Sequence, residues 1–154
     1  MKPLNLYLET SVWNFLNAPD APDKQRSTID FFDIIKVKDI AIYTSDVVLT
    51  EIGRAEQARK EWLENIIDKF KPFLLDLNEE CIMIADEYIK ANIIPLRYRD
   101  DAFHLAIATC YDLDVLVSWN MKHLVKLSTR RGANAINKLY GYREIEICTP
   151  EEVF

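Results

Sequence analysis

Five short runs rich in β-favouring residues, each followed by a stretch of helical character, constrain this chain more than any other feature. The runs are "LNLYLE" (4–9), "IAIYT" (40–44), "FKPFLLDL" (70–77), "DVLVSW" (114–119) and "EIEIC" (144–148). Strands that alternate with helices lie parallel and are joined by crossovers, so the expected fold is an α/β domain with a central, mainly parallel sheet. No internal repeat, low-complexity segment or long linker interrupts residues 1–154, and the length suits one domain with a real core.

The intervening segments carry helix signals. Ser11 starts a helical stretch that "APDAP" (18–22) breaks. In "KQRSTIDFFDIIKVK" (24–38), Phe31, Phe32 and Ile35 share a face. Ser45 is an N-cap for a helix beginning "DVVLTEIGRAEQARKEW", and Asn78 caps another running to 92. "RDDAFHLAIATCYDL" (99–113) is rich in small apolar residues and reads as a buried helix. "NMKHLVKL" and "GANAINKLYGY" read as helical pieces, and "TPEEV" as a capping box of Thr149 with Glu152 behind Pro150.

Composition removes several function classes. Only three glycines occur, and neither GxGxxG nor GxxxxGK(S/T) is present, which argues against dinucleotide and P-loop folds. Cys81, Cys110 and Cys148 form no CxxC pair and read as small apolar residues of a reduced, cytoplasmic protein. His104 and His123 make no usual zinc spacing with them and read as structural. No signal peptide or membrane-spanning run is expected. The net charge of −6 is uneven, because residues 115–143 hold six Lys and Arg and no Asp or Glu. Such a tract either grips a polyanion or is a solvated helical face.

Carboxylates stand where a parallel sheet binds ligands, outside the carboxyl ends of its strands. Glu9 ends the first strand and Asn120 follows "DVLVSW". Asp101 is in the first turn of the buried helix, and Glu51 lies in the helix after the second strand. Three acids and an amide at one edge repel one another unless a hard cation joins them, and a donor set without His or Cys favours Mg²⁺ or Mn²⁺ over zinc. Each residue has a plainer reading. Glu9 is also a favourable anion at a helix start, Asp100 competes with Asp101, and Asn120 is a good N-cap. Trp13 and Trp119 read as packing residues.

Four motifs in order, over nearly the whole chain, resemble the PIN-domain ribonucleases, including the VapC-type toxins of toxin–antitoxin pairs. They are "LYLETSVW", "SDVVLTEI", "RDDAFHLAIA" and "LVSWNMKHL". The resemblance implies a three-layer α/β/α fold and an acidic Mg²⁺ or Mn²⁺ site that hydrolyses RNA. It implies Glu9, Glu51 and Asp101 as metal ligands, with Asn120 as a fourth site residue that orients water. Thr10, Ser11, Lys122, Arg130 and Arg131 are the expected substrate contacts, and an antitoxin and a second copy of the chain the expected protein partners. Two departures stand out: Glu9 and Asn120 occupy positions where aspartate is usual. They leave a second expectation, a degenerate module that binds RNA or protein without cutting. A phosphoacceptor domain fits less well, since Ser118-Trp119-Asn120 stands where an acceptor aspartate is needed.

Overall fold

In the computed structural model, which describes residues 2–154, the five apolar runs become the strands of one sheet. They are β1 (Asn5–Leu8), β2 (Ala41–Ser45), β3 (Phe73–Leu75), β4 (Val115–Val117) and β5 (Glu146–Cys148). Their order is β3-β2-β1-β4-β5, and every adjacent pair is parallel. Leu8 pairs with Val117, so the carboxyl ends of β1 and β4 lie side by side.

The helices are α1 (Thr10–Asn14), α2 (Pro22–Lys38), α3 (Asp46–Gly53), α4 (Gln57–Phe70), α5 (Glu79–Lys90), α6 (Arg99–Cys110), α7 (Leu127–Leu139) and α8 (Pro150–Val153). From β1 the chain steps one way to β2 and β3, then returns to β4 and β5 on the other side. Right-handed crossovers put helices from the two halves on opposite faces, which makes three layers. Packing agrees: α5 contacts both α6 and α7, while α2 and α4 meet through the Phe32 and Phe70 rings at 4.7 Å. Leu6, Tyr7 and Leu8 are fully buried, as are Phe31 and Phe32 of α2 but for a trace. Each such apolar side chain contributes about 1.5–3 kcal/mol. Trp13 is a core residue against Phe32. The three cysteines are unpaired. Among the described residues, no helix is long and apolar enough to cross a membrane.

Capping follows the sequence closely. Ser45 accepts from the Val48 N–H, Asn78 from the Cys81 N–H, and the Thr149–Glu152 box is complete. Two expectations need correcting. The helix starting at Asp46 does not run on to Trp62; it stops at Gly53, and a new one begins after Glu56, whose carboxylate accepts the Ala58 N–H. "NMKHLVKL" is a tight turn in which Asn120 O accepts from the N–H groups of both Leu124 and Val125, and the helix starts only at Leu127.

Candidate active site

The strand order reverses about β1, so the crevice for a ligand lies beyond its carboxyl end. Glu9 stands there, with its N–H donating to Val117 O at 3.0 Å. Its side chain is 5 % exposed, which demands partners for a carboxylate. Oε1 accepts from the Ser11 hydroxyl at 2.5 Å and from the Ser118 hydroxyl at 2.7 Å. Those two serines in turn accept the N–H groups of Trp119 and Asn120. The end of β4 is thus laced to Glu9.

The other two carboxylates repeat the pattern. Glu51 Oε1 accepts from the Thr10 hydroxyl at 2.8 Å and meets His104 Nε2 in a very short contact. Asp101 Oδ2 accepts from the Asn120 amide at 3.1 Å and stands 3.2 Å from His123 Nδ1. In all three, one oxygen is held by the protein and the second takes no hydrogen bond from the described residues. Asp100, the competing acid, pairs instead with Arg54 at 2.9 Å.

Electrostatics distinguish the three. Burial alone would raise the Glu51 carboxyl, but the hydrogen bond and charge of His104, aided by Thr10 and Arg54, hold it below its usual range. Burial would likewise lower His104; the hydrogen bond to Glu51 and the charges of Glu9, Glu51 and Asp101 outweigh that and raise it. Asp101 has less help. Burial and then the charge of Glu9 push it up to about 6, against the opposing effects of His104 and Asn120. His123 is depressed by burial and by Lys122, Lys126 and Arg97.

Ligand atoms of Glu9, Glu51 and His104 all lie within 4.8 Å of one another, a spacing that suits one ion. Asp101 is not part of that compact trio. Both His104 nitrogens are already engaged, however, because Nδ1 meets the Tyr7 hydroxyl at 2.6 Å and Tyr7 reaches Ser45 at 2.7 Å. His104 therefore orients Glu51 as a partner behind it. The atoms left free are carboxylate oxygens, a donor set that fits a hard divalent cation such as Mg²⁺ or Mn²⁺.

The remaining expected residues divide. Thr10 and Ser11 spend their hydroxyls on carboxylates. Asn120 both donates to Asp101 and caps its own turn, accepting the His123 N–H at 3.0 Å. Lys122 is exposed beside His123. Arg130 is tied to β5 and α8 through Ile147 O at 2.9 Å and Glu152 at 3.4 Å. Arg131 is exposed on α7 and lines a shallow groove with Asn134 and Lys138. The basic tract is not a single rim: Arg143 pairs with Asp112 and Asp114, just before β4 starts, at the opposite edge of the sheet. Sequence reading missed the contacts of His104 and His123 with these acids. The available signal was spacing, since each follows a site residue by three positions: His104 after Asp101, and His123 after Asn120.

No protein-family model matches the chain. No curated protein matches it either. Solved structures do. The chain is similar to VapBC2 from Rickettsia felis, bound to a DNA fragment from their promoter (15 % identity, 95 % of this chain and 98 % of that one, TM-score 0.58). It is similar to VapC20 of Mycobacterium tuberculosis, a Sarcin-Ricin loop cleaving toxin (16 %, 72 % and 86 %, 0.52). A third likeness is to DNA-bound VapBC from Salmonella typhimurium (15 %, 96 % and 98 %, 0.53). The fold is that of the PIN domain. The likeness runs over nearly the full chain in two of the three structures.

Proposed function

We propose that this protein is a metal-dependent endoribonuclease acting as one PIN-like domain in the cytoplasm, the toxin of a toxin–antitoxin pair. The observation that carries this reading is the set of three carboxylates at the crevice beyond β1, each fixed through one oxygen with the other free. Glu9, Glu51 and Asp101 would hold Mg²⁺ or Mn²⁺, which when bound would supply an activated water and offset charge on a phosphodiester. Ser11 and Ser118 fix Glu9, Thr10 and His104 fix Glu51, and Asn120 fixes Asp101. Such positioning spares the site the cost of reorganising as charge develops. Lys122, with Arg130 and Arg131 further along, meets RNA phosphates. An antitoxin and a second copy of the chain are the proposed protein partners, the former because two similar structures are VapBC assemblies.

The rival reading, a non-cutting RNA-binding or protein-binding module, is favoured by Asn120, which brings no fourth charge and whose amide is used at both ends. End-labelled RNA separates the two. With Mn²⁺ the protein is expected to give discrete internal fragments that disappear on chelation and with Glu9→Gln. RNA that is bound but never cut, with any divalent ion, would favour the module.

A further inference from the structure

We propose that two cation–aromatic pairs flanking the carboxylates are nucleotide subsites, one on each side of the bond to be cut, and that they select a single strand. This rests on the ribonuclease reading above.

The first pair adjoins Glu9. Lys24 Nζ of α2 lies 5.4 Å from the Phe15 ring centroid and 5.6 Å from that of Trp119. Trp119 is rigid: its indole N–H donates to Thr28 at 2.8 Å, and its backbone N–H donates to Ser11, the same hydroxyl that holds Glu9. The residue is only 7 % exposed, so it packs, as its sequence suggests. Phe15 is the more open ring, half-buried with its centroid 6.0 Å from that of Trp119. The carbonyl of Asn14 beside it is anchored by Arg59 at 2.6 Å.

The second pair adjoins Asp101. Arg97 lies 5.2 Å from the centroid of the Tyr98 ring, and Tyr98 stacks on His123 with centroids 3.9 Å apart. His123 stands against Asp101. Lys122 and Lys126 act on the same imidazole, which puts three cations around it.

Pairing states separate these cations from two arginines of the basic tract. Arg130 and Arg143 are bound to acids. Lys24, Arg97, Lys122 and Lys126 form no ion pair with any described residue. Their charge is free for a polyanion, and two of them already sit over aromatic rings. A cation beside a partly open ring takes a phosphate and its base together. Two such places, one beside Glu9 and one beside Asp101, fit a strand crossing the site with a base resting at each. Bases inside a duplex keep their own stacking and do not reach such rings.

The test is the anisotropy of a fluorescein-labelled oligoadenylate of about eight nucleotides, in Ca²⁺, at several salt concentrations. Lys24→Gln and Arg97→Gln are each expected to flatten the log–log salt slope by about 0.7, the value for one lost phosphate contact on a single strand. Phe15→Leu is expected to weaken binding about tenfold with little change in slope. Mn²⁺ affinity, read by calorimetry, stays at the wild-type value in all three, which shows an intact centre. An RNA duplex of equal length should compete poorly. Wild-type slope and affinity in all three variants, or equal competition by the duplex, overturns the subsites while leaving the ribonuclease reading in place. Mn²⁺ binding without any RNA binding by the wild-type protein overturns both.

Discussion

Asp101→Asn is expected to raise the melting temperature of the metal-free protein near pH 7.5 and to remove the further rise that Mn²⁺ produces in the wild type. The carboxyl of Asp101 titrates at about 6 in the fold, against 3.8 as a free side chain, because burial and the charge of Glu9 oppose its ionisation. A carboxyl raised on folding binds more protons folded than unfolded between those values, so stability falls as pH rises through that window. Above about pH 6 the whole penalty is present; below about pH 4 it is gone. Two units correspond to about 2–3 kcal/mol, and the 14 % side-chain exposure leaves little screening. For a chain of this length that is a rise of roughly 5–10 °C. Asparagine keeps an oxygen for the Asn120 amide, so the gain is not offset by a lost bond. Thermal melts with and without Mn²⁺, near pH 7.5 and near pH 4, check both parts. A metal-free protein destabilised at the higher pH would show that the carboxylate is a structural partner instead.

Asn120→Asp should act in the opposite sense. The Asn120 amide donates to Asp101 at 3.1 Å, and an aspartate would set two carboxylate oxygens against each other there. At that separation two partly buried like charges cost about 2–4 kcal/mol before one of them takes a proton. The metal-free variant is expected to melt lower than wild type, and Mn²⁺ to recover more than it does in wild type, since a fourth carboxylate strengthens the pull on a divalent ion. The oxygen that caps the turn by accepting the His123 N–H survives the change. A variant that melts lower and gains no extra recovery from Mn²⁺ would leave Asn120 only its role in that turn.

Strand positions were legible because each strand is a short apolar run bounded by polar or turn residues, and the helix starts because Ser45, Asn78 and Thr149 are good caps. The gathering of Glu9 and Asn120 followed from strand ends alone, once β1 and β4 were neighbours. The break between α3 and α4 was missed because helix-favouring residues continue across it; Gly53 and the Glu56 cap were the clues. The turn at Asn120 looked helical because asparagine is a good N-cap, and it does cap here by accepting the His123 N–H, but nothing local shows that the turn goes no further. The arrangement of the basic tract was hidden for a different reason. Composition sees six charges in one segment, whereas the fold sets Arg130 and Arg143 beside acids and holds Lys24 and Arg97 over aromatic rings from elsewhere in the chain. Histidine roles were hidden likewise, since Tyr7 and Glu51 reach His104 from distant elements.

A crystal of the protein soaked in Mn²⁺ and measured at the manganese absorption edge shows whether the carboxylates beyond β1 hold an ion. An anomalous peak is expected at this crevice, about 2.2 Å from the free oxygens of Glu9 and Glu51, with water completing the shell and Asp101, outside that compact trio, reaching the ion through one of those waters. A peak bound by His104 Nε2 in place of Asp101, or no peak at this crevice while the protein still cuts RNA, would contradict it.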